Sequence, residues 1–309
     1  MTDISRPLAG CVTGLSISAS DDSTKRGFPS WQVNRVTLQI VAALFGQGAS
    51  VVFGHDWRED GVMEAVYGFA RQVQPPVPLT EQTAAAEGRP LLTNLVPWPD
   101  NPFLKERDLE QLKSTLRVEE AGLPGELLGV EHEARGTPDS FLYRYVRARG
   151  LTFLRHRLNA VSHVRLCLGG PRAGSAGRYP GIIEEALLTV RQNKPLYLAG
   201  FLGGAAEQVV DAIEGRQIRD DFCPPAPILD CYLNPPVHER DQATQADRVI
   251  DRTGIWQEFA QTGTARVSAA NGLSVDENRE LFRTPVIDRV IELVLIGLSR
   301  IAANLGPLQ

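Results

Sequence analysis

Two hydrophobic periods alternate along the first quarter of the chain. "GCVTGLSIS" (10–18) is apolar and β-branched and ends in small polar residues, which predicts a buried strand. "WQVNRVTLQIVAALFGQG" (31–48) places Val33, Val36, Leu38, Ile40, Val41, Leu44 and Phe45 at helical spacing, with Gly46 or Gly48 to close the helix. "ASVVFG" (49–54) predicts a second buried strand and "DGVMEAVYGFARQV" (60–73) a second helix. A β-α-β-α opening is the pattern of a parallel sheet covered by helices.

The pattern then weakens. Prolines at 75, 76, 78, 90, 97, 99 and 102 forbid a continuous helix, leaving room for a short third strand within "RPLLTNLVPW". Residues 103–137 are polar and mixed in charge, with a helical phase in "ERDLEQLKSTL", and predict a solvated helix or an insertion. Helical spacing returns over 139–161, where arginines 144, 147, 149, 155 and 157 read as a solvated face on a central helix, with direct ligand contact as the alternative. A strand at 163–168, a loop, a helix from 181 to 193, a strand at 195–200 and a helix at 203–215 follow. The proline-rich stretch 222–237 predicts a surface excursion. The chain closes on helices at 243–263 and 276–301, the latter broken or started at Pro285. The fold class expected is α/β, a Rossmann-like parallel sheet flanked by helices. One domain over 1–309 would carry insertions at 75–137 and 220–275.

Composition adds exclusions. With 309 residues, 43% of them hydrophobic, the chain buries a large core. A net charge of −5 gives no reason to expect bulk nucleic-acid binding. No apolar run approaches the roughly 20 residues that span a bilayer, so no membrane partner is expected. The N-terminus "MTDISRPLAG" lacks a basic and an apolar signal region, so a cytoplasmic location is expected. Cys11 and Cys167 sit in apolar runs. Cys223, Cys231 and His238 supply three candidate ligands where a structural zinc site takes four, so neither a metal nor a cofactor is expected.

In an open α/β sheet, ligands collect outside the C-terminal strand ends. Three loops qualify: 14–30, 54–61 and 169–181. In the first, Ser16, Ser18 and Ser20 alternate as on a strand end and suit a phosphate or a sugar, while Ser30 is a candidate helix cap. In the second, "FGHDWREDG", Arg58 offers a fork for phosphate, Trp57 a ring for stacking, and Asp56 an acceptor for a ribose diol beside His55. Asp60 is a candidate cap for the next helix. The third, "GGPRAGSAGRYPGIIEEA" (169–186), turns on Gly169 and Gly170 and carries Arg172 and Arg178. Its Pro180 and Gly181 open a helix whose N-terminal N–H groups suit an anion. Glu184 and Glu185 follow within about a turn, and because neighbours diverge by about 100° on a helix, one of them at most faces a pocket. The loop lacks the lysine of a phosphate-binding GxxxxGK[ST] motif, and no GxGxxG follows the first strand.

"VVFGHDWREDGVMEAV" and "GGPRAGSAGRYPGIIEEAL" together resemble the SLOG superfamily, the Rossmann-like group around the "lonely guy" phosphoribohydrolases and the DNA-processing protein DprA. Gly61, Val62 and Met63 look like the "GLM" that opens a helix in those hydrolases. Gly181 and Glu185 match the second half of their PGGxGTxxE motif. The nucleotide-sensor branches of bacterial conflict systems are more similar, through "GLSIS", "GHDWR", the GGxxxGxxGRxPGIxEEA loop and "GLSVDENRELFRT". The resemblance implies a pocket for a nucleotide or ADP-ribose-like second messenger. It would be lined by Gly169, Gly170, Arg178, Gly181 and Glu184 or Glu185, with Ser16, His55, Asp56 and Arg58 opposite. The inserted "PRAGSAGRY" departs from the compact hydrolase motif. No TIR, nuclease or membrane effector segment lies within the 309 residues, so relay through a homo-oligomer or a separate effector chain is expected, in antiphage defence or signalling.

Three readings stay open. The first is a binding module in which arginines hold phosphates and an acid holds a ribose hydroxyl. The second is an enzyme that breaks or transfers an N-glycosidic bond, in which Glu184 or Glu185 stabilises oxocarbenium-like charge or acts as nucleophile, or Asp56 activates water. The third is a scaffold that keeps the fold without a ligand. The apolar helix "VIDRVIELVLIGLSRI" either buries a dimer face or closes the core.

Overall fold

The computed structural model describes residues 6–54, 56–57, 61–72, 90–100, 115–136, 140–218, 222, 224–235, 250–306 and 308. Six strands form one parallel sheet: β1 (Val12–Ser18), β2 (Ser50–Gly54), β3 (Leu92–Val96), β4 (Leu116–Glu120), β5 (Val164–Gly169) and β6 (Leu196–Ala199), in the order β4-β3-β2-β1-β5-β6. The chain runs outward from β1 through β2 and β3 to β4, then returns to lay β5 on the other side of β1. The strand order therefore reverses between β1 and β5, the point at which open α/β sheets bind ligands outside the C-terminal strand ends.

Eleven helices flank the sheet among the described residues. They are α1 (Asp21–Lys25), α2 (Ser30–Gly46), α3 (Val62–Gln72), α4 (Glu131–Gly136), α5 (Phe141–Ala160), α6 (Gly181–Arg191), α7 (Gly204–Ile213), α8 (Ala226–Leu233), α9 (Arg252–Asn271), α10 (Val275–Arg283) and α11 (Ile287–Ile301). Strand alternation sorts them into two layers. Leu15, Ile17, Val51, Phe53, Leu166 and Leu168 point to the face packed by α2, α3 and α11. On the other face, Val12, Val52 and Leu95 meet Leu154 and Leu158 of α5, while Cys167 and Leu198 meet α6, α7 and α9. None of the helices is long and apolar enough to cross a membrane among the described residues.

The structure departs from the sequence expectations at four places. "LRVEE" (116–120), inside the stretch read as a solvated helix or insertion, is the edge strand β4. The first loop is not open: Ser20 and Ser23 cap each other and start α1, and Pro29 rather than Ser30 caps α2. The proline-rich excursion contains α8, whose Pro225 caps the helix and whose Pro227 lies in the first turn, where a missing N–H costs nothing. Its Cys231 and Tyr232 are buried among residues of α5. Lastly, α5 does not expose all its arginines, for Arg149 and Arg155 are buried. Pro285 separates α10 from α11, and α11 turns Val290, Leu293, Val294 and Leu298 into the core.

Candidate functional site

Because β2, β1 and β5 are parallel neighbours, the three loops singled out above leave the sheet along one edge. Ser18 pairs with Gly169, and the Gly170 N–H donates to the Ser18 carbonyl at 2.8 Å, carrying the ladder one residue into the crevice. Gly169 and Gly170 have φ of +61° and +82°. A Cβ at Gly169 would lie 2.7 Å from the Ser18 carbonyl, and one at Gly170 would strike Ile182 of α6. Only glycine fits both the backbone and the packing here.

Beyond the glycines the crevice is strapped. Arg172 donates from Nε to Asp22 of α1 at 2.7 Å. Arg26, just past α1, grips Glu207 of α7 at 2.8 and 2.9 Å and reaches the carbonyls of Gly200 and Phe201. Phe28 meets Phe201 edge to face at 5.4 Å. Arg178 is half-buried, with its guanidinium 5.0 Å over the ring of Tyr179. The Tyr179 phenol is shifted upward, mainly by burial, and accepts the Asp251 N–H at 3.0 Å.

The two glutamates have separate surroundings. Glu184 is 3% exposed and turns toward α5, where Arg155 Nη1 donates to Oε2 and Thr152 donates to Oε1 at 2.9 Å. Arg155 also donates to the Tyr179 carbonyl at 3.2 Å, and a Cβ on Gly177 would lie 2.7 Å from its Nη1. Glu184 is thus consumed inside the wall. Glu185 turns toward the sheet. Its Oε2 accepts from Ser16 Oγ and, at 2.8 Å, from Arg165 Nη1, which also donates to Ser16 Oγ at 2.9 Å. The Glu185 side chain keeps 13% of its surface exposed, whereas Arg165 keeps 1%.

Arg165 went unremarked in the sequence analysis, as did the pairing role of Arg155. The signal for Arg165 was a lone arginine inside the apolar strand "HVRLCL": a charge buried in a sheet requires a partner from the covering helix. Its space comes from Gly14, the neighbouring residue on β1, where a Cβ would lie 2.9 Å from the guanidinium carbon. Cys167, beside Ser16, has its thiol pushed up to about 12 by burial, with Arg165 opposing that shift. It is a neutral packing group.

The remaining predicted residues divide. Ser18 is half-buried at the end of β1, and Gly181 is the first residue of α6. Asp56 adopts φ +85° and caps α3, accepting from the Val62 N–H on its side chain and from the Met63 N–H on its carbonyl, both at 3.3 Å. Trp57 offers no stacking ring. It is buried in the core and donates from Nε1 to Asn94 Oδ1 at 2.8 Å. His55, Arg58 and Asp60 lie outside the described residues.

The six-stranded parallel sheet, with its strand order reversing beside β1, defines a doubly wound, Rossmann-like α/β protein. A sequence profile described as SLOG cluster2 matches residues 7–281, and the chain belongs to that family. Membership points to nucleotide-related chemistry. Among curated proteins nothing matches the chain.

Proposed function

We propose that the protein binds a nucleotide-derived ligand of the ADP-ribose type and acts as a sensor in bacterial signalling or defence. The observation that carries this reading is Glu185, a partly exposed carboxylate on α6 that is bonded to Ser16 of β1, near the C-terminal end of that strand. The helix N-terminus suits a phosphate, and the carboxylate a turn later suits a ribose diol. Arg178, at the loop's end, supplies positive charge to the phosphate side. A half-buried apolar strip on α11, Ile291, Leu295 and Ile296, supports output through assembly, with a separate effector chain as the other route.

A thermal-shift panel of AMP, ADP, ADP-ribose and cyclic nucleotides, with mass spectrometry of the recovered ligand, tests the reading. ADP-ribose or a relative should raise the melting temperature and come back intact, and Arg178→Ala should abolish the shift. Release of free base or ribose phosphate would transfer the assignment to an N-glycosidic hydrolase acting through Glu185. A panel that shifts nothing would refute nucleotide sensing.

A further inference from the structure

Beneath the crevice floor lies a charge that the ligand itself would not reach. Arg165 is 1% exposed, rises from the middle of the sheet, and spends its Nη1 on Ser16 and Glu185, while Nη2 lies 3.5 Å from Ser162 Oγ. Ser16 closes the triangle by donating to the same oxygen, Glu185 Oε2. Glu185 is therefore held through one oxygen from below by two donors on two strands. Its other oxygen, Oε1, has no protein partner among the described residues, and the side chain keeps 13% of its surface exposed. The surrounding groups leave that oxygen alone. Arg155 and Glu184 satisfy each other, Cys167 is a neutral thiol, and Lys194 is engaged by the Asn159 and Ser162 carbonyls.

We propose that Arg165, with Ser16, is a positioning residue that fixes Glu185 so that Oε1 selects a ligand with a free ribose hydroxyl. This rests on the nucleotide reading given above. A carboxylate accepts but does not donate, so a sugar position that lacks a hydroxyl leaves Oε1 desolvated without a partner. Discrimination of this kind, set by a hydrogen bond to a charged acceptor, is worth about tenfold or more in affinity.

The test compares ADP-ribose and ADP with their 2′-deoxy and 3′-deoxy counterparts on the full chain by calorimetry. The wild-type protein should prefer at least one ribo form by about tenfold. Arg165→Met and Ser16→Ala should bring that ratio close to one while leaving affinity for the deoxy form in place, and Arg165→Lys should restore part of it. Equal weakening of both forms would make Arg165 a purely structural residue and overturn the proposal. Ser16→Ala, which removes a single hydroxyl, keeps the test alive should Arg165→Met fail to fold. If no nucleotide binds the wild type, the nucleotide reading falls, and a crystal structure of ligand-free Ser16→Ala still decides the positioning claim. Glu185 displaced from its place on β1 supports it, and Glu185 unmoved refutes it.

Discussion

Replacing Arg155 with methionine should destabilise the protein far more than the loss of one surface charge would. The Arg155 and Glu184 side chains are 7% and 5% exposed, so the pair sits out of water. In Arg155→Met, Glu184 keeps only the Thr152 hydroxyl, at 2.9 Å, against the cost of a buried carboxylate. Removing one partner of such a pair costs about 3–5 kcal/mol. For a chain of 309 residues, an unfolding entropy of about 2.1 cal/mol/K per residue converts this to a fall in Tm of roughly 5–8 °C. Urea titration with a reversibility check measures it directly, and calorimetry gives the Tm. Arg155→Met/Glu184→Leu should recover most of the loss, because an apolar pair of similar volume leaves no orphan charge. Asp276→Asn, at an exposed pair with Arg279, serves as the control and should change stability by no more than about 0.5 kcal/mol. Arg155→Met within about 1 kcal/mol of wild type, or a double variant no more stable than the single one, would refute the buried pair.

Three further outcomes are expected. Gly170→Ala should cost about 1–3 kcal/mol, since it places a Cβ at φ +82° against Ile182; urea unfolding at wild-type stability would refute this packing of the loop. Glu277 accepts from the Ser274 N–H and from Arg300, and these bonds, Arg300's foremost, lower its carboxyl from 4.5 to about 2. Its stabilisation is therefore complete above about pH 4.5 and lost as the pH falls toward 2, so Glu277→Gln should flatten the acid limb of the stability profile between those values. The thiols of Cys11 and Cys231 are pushed up to about 11 and that of Cys167 to about 12, all chiefly by burial. Peptide-resolved alkylation at pH 8 should leave all three unmodified until the protein is unfolded.

The β-α-β-α opening was legible because its strands are short β-branched, largely buried runs and its helices carry one clear apolar stripe. Edge strand β4 was not. Arg117, Glu119 and Glu120 give "LRVEE" the composition of a solvated helix, and only pairing with β3 decides otherwise. Helix α8 was hidden by prolines that in fact sit at its cap and first turn. The crevice loop was readable from its glycines and from the helix start that follows. The fates of its glutamates were not, since local spacing says they diverge without saying what each will meet. Tyr145, Arg149, Thr152 and Arg155 make a polar stripe on α5 that looks solvent-facing in one dimension and is covered by α6 and α8 in three. A charged residue within an otherwise apolar strand, as at Arg165, is the sequence feature that most repays a search for its partner.

The vacancy at Gly14 has a consequence for transplanting this cleft. The visible part of the site, residues 169–185, is one contiguous segment, and loop grafting between doubly wound proteins would carry it whole. The orientation of Glu185 would not travel with it, because it is set by an arginine on β5 that occupies the volume of a missing methyl on β1. A recipient scaffold needs a glycine and an arginine at paired positions of two adjacent strands before the borrowed loop can have its acid in place. The cleft is, in that sense, a property of the sheet.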